Sequence, residues 1–493
     1  MMAGQQDEAD RRGVREPSLA DAIIPMVVLA GLIAASLALF GLDALDGPIQ
    51  VALIVCVLVA GLIGMRNGHT WADVERAAQS AFTSITSAVL ILFAVGALIG
   101  VWNLSGTIPT LVYYGIQVLS PVWYYAATAL ICGVVALSIG SSWTTAGTIG
   151  VGLIGVAAML GVSPAITAGA VISGAYLGDK LSPLSETTVL TAQMVQVDVH
   201  EHVKRQAWTS IPAFVVAFAV FLVLSLVRAP DVHNPVGKEV ELHSLADIYH
   251  ITPWNLLPLV LLAVLSIRKV PATLALLSSA LFAGILGAFL QPDVMRQFVG
   301  GAWEHPVLGS VKGIWLAMAN GFTIDSGIAD IDRLLSRGGM DSMLTTLWLI
   351  IGAVTFGAVL EEFGLIGRLV DPMIRTARTR GRLFATVFGC GFGLNVVAGD
   401  QYIALVLPSR VFRVEFARRG LAPTNLSRLA ADSATVTSPL VPWNSCGAFM
   451  GAVLGVPTLS YLPYSVFNYA SPALSVLYGI TGFRIEKVPV SSP

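Results

Sequence analysis

A few carboxylates stand in stretches otherwise too apolar to hold them. Asp179 and Glu186 flank the segment Gly178-Asp-Lys-Leu-Ser-Pro-Leu-Ser-Glu-Thr-Thr188. Asp400 sits in a glycine-rich polar turn with Asn395 and Gln401, and Asp432 opens Asp432-Ser-Ala-Thr-Val-Thr-Ser-Pro-Leu-Val-Pro-Trp-Asn444. A carboxylate in hydrocarbon is costly and persists where it meets a partner, an ion or a watery cavity. Oxygen donors crowd around these acids: Ser142, Thr145, Ser182, Ser185, Thr187 and Thr188 in the first group, and Thr437, Ser438 and Asn444 in the second. Hydroxyl and carbonyl oxygens suit a hard cation such as Na⁺, by the preference that gives Ca²⁺ and Mg²⁺ their oxygen ligands. Pro183 and Pro439 remove helix hydrogen bonds and leave carbonyls free to accept. The pattern predicts a Na⁺ site at Asp179, Ser182 and Thr437. Burial favours a neutral carboxyl and a bound cation favours a charged one. Competition for Asp179 would therefore couple Na⁺ to H⁺ without contact between the two ions. Lys180 either neutralises Asp179 or turns toward another acid.

Plainer roles compete at each position. Asp400 could cap a hairpin tip and Asp432 a helix N-terminus. Glu186 could face water, Glu361 and Glu362 could be interfacial, and Trp143 and Trp443 could simply pack.

The elements that must position these residues are membrane helices. Of 493 residues, 55% are hydrophobic and 12% charged, and the mean hydropathy is +0.77. A soluble domain carries about 25% charged residues. Apolar runs at 22–42, 48–65, 81–101, 207–227, 272–290 and 342–360 approach the roughly 20 residues that span hydrocarbon. The expected fold is an all-α polytopic membrane protein, with a first spanning helix at Asp21–Leu42 rather than a cleaved signal. A net charge of −2 with no basic domain gives nucleic-acid binding no support. Cys56, Cys132, Cys390 and Cys446 form no CxxC and read as buried thiols. Gly150-Val-Gly-Leu-Ile-Gly155 lacks the strand a nucleotide fingerprint requires. No Walker A and no HExxH occur, His200-Glu-His202 reads as a solvated loop, and no cofactor is expected; nothing suggests an enzyme.

Loop charge predicts the topology. Arg11, Arg12, Arg15, Arg66, Arg76, Lys204 and Arg205 mark cytoplasmic connections, while Asp231, Glu239, Glu241 and Asp247 make 229–252 an acidic outer loop. Five arginines in 368–382 and five more in 410–428 (Arg428 among them) put both stretches inside, so 383–409 must enter and return as a re-entrant hairpin. Residues 122–162 are a second hairpin, around Gly140-Ser-Ser-Trp-Thr-Thr-Ala-Gly147. After each hairpin comes an interrupted helix bearing Ser-Pro-Leu, at 182–184 and 438–440. This predicts two inverted repeats, each of about five spans plus a hairpin and a broken helix, at 21–228 and 253–484. Cytoplasmic tails at 1–20 and 485–493 flank them. Residues 104–120, 291–321 and 361–382 are left unassigned or interfacial. Inverted repeats with broken helices at mid-membrane are typical of secondary transporters.

These motifs resemble the NhaC-type sodium/proton antiporter family. The resemblance is carried by Gly140 through Gly150, by Ser173-Gly-Ala-Tyr-Leu-Gly-Asp-Lys-Leu-Ser-Pro-Leu-Ser-Glu-Thr-Thr188, by Ser427 through Asp432, and by Ser438 through Asn444. It covers about residues 20–480. It implies exchange of Na⁺ for H⁺ across the inner cell membrane by alternating access, in a lipid bilayer, and allows a homodimer, since the wider ion-transporter superfamily often dimerises. Relatives also exchange organic acids or amino acids with Na⁺ or H⁺, which is the alternative. The sequence departs from the family pattern at Glu186, usually aspartate, and at Val189, usually asparagine.

Overall fold

The computed structural model describes residues 13–228, 243–300 and 305–488. Of the acidic outer loop, Asp231, Glu239 and Glu241 lie outside these residues, as do Arg11 and Arg12 of the N-terminal tail. The described chain is helical; its one β-bridge pairs Leu421 with Lys487.

The first half runs α1 (Leu19–Phe40), α2 (Pro48–Arg66), α3 (Trp71–Leu104), α4 (Thr107–Val118), α5 (Tyr124–Ile139), α6 (Ser142–Met159, with a π-turn at Ala146–Gly150), α7 (Pro164–Leu181), α8 (Glu186–Val195) and α9 (Val199–Val227). The second half runs α10 (Leu257–Ile267), α11 (Ala272–Leu290), α12 (Pro292–Val299), α13 (Pro306–Asn320), α14 (Ala329–Leu335), α15 (Leu344–Glu362), α16 (Leu365–Thr376), α17 (Arg380–Val397), α18 (Gln401–Arg418), α19 (Pro423–Ala430, leading into a π-turn at Ala431–Thr435), α20 (Ser445–Leu454), α21 (Thr458–Tyr461) and α22 (Val466–Thr481). Among the described residues, eight helices are long and apolar enough to cross a membrane, or up to nine if the bent pair α20–α21 counts as one span. All six apolar runs fall within these spans. The previously unassigned 104–120 and 361–382 contain the short helices α4 and α16.

The same succession of turns occurs twice, about 259 residues apart. Left-handed glycines precede α4 (Gly106) and α16 (Gly364). Gly140 and Gly399 turn left-handed at the two hairpin tips. An extended residue, Ser141 or Asp400, then caps α6 or α18. Pro164 and Pro423 open α7 and α19. Ser185 and Asn444 cap the helices beyond the two breaks, and left-handed Gln196 and Gly455 end them. The two Ser-Pro-Leu copies are 256 residues apart and so three residues out of this register. Ser182 precedes its following cap by three positions, and Ser438 precedes Asn444 by six. The motif that suggested the repeat therefore does not align it.

Close packing sets the first site. Gly174 and Gly178 lie one turn apart on α7, and a Cβ on either would overlap Ala129, Cys132, Gly133 or Ala136–Leu137 of α5. Small residues at such spacing let helix backbones approach in a membrane. The contact presses the end of α7 against the tip that joins α5 to α6. The halves also interlock, since α22 of the second packs on α7 and α9 of the first.

Candidate functional site

Asp179 occupies the last turn of α7, 5% exposed, directly after the packing glycine Gly178. Its carboxylate accepts from three hydroxyls. Ser142 at the α5–α6 tip donates to Oδ2 at 2.7 Å. Ser185 donates to Oδ1, and Thr187 donates to the same oxygen at 3.4 Å. Thr188 donates to the Asp179 backbone carbonyl at 3.0 Å. The break supplies these groups because Ser185 ends the irregular stretch and caps α8, its hydroxyl accepting from the Thr188 N–H at 3.3 Å. Among the described residues, no lysine, arginine or histidine pairs with Asp179. Lys180 turns to the other side of α7.

The Asp179 cage borders a cavity of about 440 Å³ shared by both hairpin tips, the first break and the start of α20. Ser142, Trp143, Glu186 and Thr187 line it from the first half, and Asp400, Gln401, Tyr402 and Ser445 from the second. Lys269 and Val270, in the turn between α10 and α11, also face it. Glu186 is exposed and stands in the lining. Trp143 stacks on Phe449 of α20, ring centroids 4.0 Å apart.

The other predicted ligands divide between tasks. Ser182 donates to the Leu137 carbonyl at 3.0 Å, away from Asp179. Thr145 donates to the Ser141 carbonyl at 2.8 Å. Thr437 accepts from Asn395 Nδ2 at 2.9 Å and donates to the Ser433 carbonyl at 2.5 Å. Asn444 donates to Asn395 Oδ1 at 3.1 Å and caps α20 by accepting from the Cys446 N–H at 3.0 Å. Ser438 meets Gln401 Oε1 at 3.5 Å and donates to the Thr435 carbonyl at 2.8 Å. The side chains of Asp179, Ser182 and Thr437 thus make no hydrogen bond to one another, and the hydroxyls at Asp179 are those of Ser142, Ser185 and Thr187. Pro183 is exposed at the break and Pro439 buried.

The acids of the second half are occupied. Asp400 caps α18, accepting the N–H groups of Tyr402 at 2.8 Å and Ile403 at 3.2 Å, with Ser445 at 3.4 Å on its other oxygen. Asp432 caps nothing. It lies fully buried in the π-turn, ion-paired with Lys180, and accepts from Gln206 at 3.1 Å, Thr209 at 3.0 Å and Ser471 at 2.6 Å. Ser471 also accepts from Lys180 at 2.8 Å.

One sequence expectation is corrected nearby. His202 is not in a solvated loop: it is fully buried in α9, its Nδ1 3.0 Å from Ser427 Oγ, while His200 stays exposed. Arg428, counted among the arginines of 410–428, is 1% exposed and lies over the Tyr478 ring. Spacing could have flagged Gln206 and Thr209, which lie three apart on one helix face. Nothing local marks Ser471 as their partner. Glu361 and Glu362 are exposed, and Glu362 meets Arg76 at 3.7 Å.

A helical membrane protein with broken helices meeting at a polar internal cavity is the architecture of a carrier. A model of the Na⁺/H⁺ antiporter family matches residues 18–208 and 195–483, and the chain belongs to that family. It is 35% identical over 440 residues to the Na(+)/H(+) antiporter NhaC of Alkalihalophilus pseudofirmus, covering 89% of this chain and 91% of that one. It is 34% identical to the malate-2H(+)/Na(+)-lactate antiporter of Bacillus subtilis, with 96% of each chain covered. It is 33% identical to the arginine/ornithine antiporter ArcD of Halobacterium salinarum, covering 97% and 95%.

Proposed function

We propose that the protein exchanges Na⁺ for H⁺ across the cell membrane, with Asp179 as the group for which the two ions compete. The observation that carries this is the cage: a buried carboxylate ringed by Ser142, Ser185 and Thr187, with no cationic side chain paired to it, on a cavity built from both halves. A proton on Asp179 leaves a neutral acid in a hydroxyl-lined pocket. Na⁺ takes up the charged form, with hydroxyl and break carbonyl oxygens completing its shell. Only one of them binds at a time, so the site returns loaded with the other ion. Alternation between sides requires one group of helices to move against the other. The recurring turns support two repeats; their inversion in the bilayer and the cytoplasmic termini rest on the loop charges.

A pH dye trapped in proteoliposomes tests the reading. External Na⁺ should drive proton release in the native protein and none in Asp179→Asn. Folded native protein that moves no protons with Na⁺, Li⁺ or K⁺ would overturn it. A second reading, Na⁺- or H⁺-coupled exchange of a small carboxylate or amino acid, is favoured by the names of the Bacillus subtilis and Halobacterium salinarum relatives. Uptake accelerated by the same solute on the far side would establish it.

A further inference from the structure

A second cavity, of about 540 Å³, lies against the other end of α20. Ser445 at the start of α20 lines the Asp179 cavity, whereas Ala448, Gly451, Ala452 and Gly455 line this one, beginning about one helical turn further on. Arg337 is its cation. It arrives on an irregular segment that folds back between α3 and α13. There the Gly339 N–H donates to the Gly96 carbonyl at 2.8 Å, and the Met340 N–H donates to the Met318 carbonyl at 2.9 Å. Gly455 leaves room for the side chain, since a Cβ there would collide with the guanidinium.

The half-buried guanidinium has few protein partners among the described residues. It has five N–H donors. Among the described residues its one hydrogen bond runs from Nη2 to the Val453 carbonyl at 3.5 Å, the limit of useful reach. No carboxylate pairs with it among the described residues. Thr345, exposed, and Thr346, half-buried, line the same cavity, and neither hydroxyl has a hydrogen-bond partner among the described residues. Ser342 is committed to the Gly339 carbonyl at 2.7 Å, and Asn320 to Asp341 at 3.0 Å. The remaining charged lining residue is Asp46, which is exposed. A lone arginine at the end of α20 could serve only to meet the final carbonyls of that helix. One contact at 3.5 Å leaves most of its donors unused and accounts for neither the cavity nor the free hydroxyls.

The geometry points to an anion site here, built for a small monocarboxylate. A carboxylate takes two parallel N–H bonds from a guanidinium fork, which a spherical anion does not. Thr345 and Thr346 would donate to the substituent or to the second oxygen. Asp46 disfavours a second negative charge. The site is separate from Asp179 and does not depend on cation exchange.

The test uses the full-length protein in detergent, with thermal unfolding followed in sodium lactate and in sodium chloride at matched sodium and ionic strength. Lactate should raise the midpoint saturably, by about two degrees or more, beyond chloride. The rise should vanish in Arg337→Gln and need roughly tenfold more lactate in Arg337→Lys, which keeps the charge but loses the fork. Asp179→Asn should keep the full lactate response, separating this site from the exchange reading. If both arginine variants fail to fold, Asp46→Asn serves instead and should tighten lactate binding several-fold. A native midpoint that responds equally to lactate and chloride, a response that survives in Arg337→Gln, or an unchanged response in Asp46→Asn would each overturn the site.

Discussion

The two broken segments use similar residues to opposite ends. In the first, the acid of α7 faces the shared cavity with three hydroxyls and no counter-ion. In the second, the position 259 residues on is Ser438, which is neutral and hydrogen-bonded to the Thr435 carbonyl. The acids of that half are already employed, Asp400 in capping α18 and Asp432 in meeting Lys180. Of the three buried acids near the centre, Asp432 is neutralised by an ammonium, Asp400 is held by helix N–H groups, and Asp179 meets side-chain hydroxyls alone. Adjacent residues perform the two tasks: Asp179 faces the cavity, and Lys180, on the opposite side of α7, ties the first half to the second. An acid without a counter-ion can trade a proton for a metal ion; one locked to an ammonium cannot do so without breaking the lock.

The sharpest way to break this comparison is to exchange the roles. Asp179→Asn should abolish Na⁺-driven proton movement in the dye assay while folding normally. Asp400→Asn should retain exchange, because an asparagine still caps α18. Equal loss in both would erase the distinction between the two acids. The next largest effect falls on stability. Lys180→Met should destabilise by about 3–5 kcal/mol, because it leaves Asp432 buried and unpaired. Lys180→Met combined with Asp432→Asn should recover most of that loss in thermal unfolding. No recovery would mean that the pair is not the lock.

Smaller effects sharpen the cage itself. Ser185→Ala should raise the Na⁺ concentration for half-maximal exchange several-fold, whereas Ser182→Ala should leave it unchanged, since that hydroxyl bonds Leu137. An equal shift in both would restore the original ligand set. Competition also fixes a sign for pH. Protons occupy the same carboxylate, so the apparent Na⁺ affinity should fall as pH drops, approaching tenfold per unit once Asp179 is mostly protonated. A half-saturating Na⁺ concentration independent of pH would separate the two ions. The smallest effect is at the tip: Asp400→Ala should cost about 1 kcal/mol in unfolding, the worth of one helix cap.

Much of this was present in the sequence. Spanning helices follow from length and apolarity alone, because hydrocarbon solvates no backbone polar group. The expectation of a hairpin at 383–409 followed from arginines on both sides of an interval that cannot cross once, and that of one at 122–162 from two apolar arms around a polar tip. Asp179 stood out because few acids interrupt the apolar runs, and Ser142, Ser185 and Thr187 were among its proposed neighbours. Which of the many hydroxyls reach the acid was decided elsewhere. It depends on how closely Gly174 and Gly178 let α7 approach α5, and on Ser182 turning outward to Leu137. Hydroxyls one or two residues apart look alike in sequence and point in different directions around a break. The partner of Lys180 lies 252 residues away, and Ser471 291 residues away. Arg337 sits in a polar stretch that reads as a loop; only the fold brings it beside Gly455. Sequence determined what had to be in the membrane and which acid was anomalous. Tertiary structure decided which charges cancel, because pairing depends on distance through space and neither residue of a pair records where the other will be.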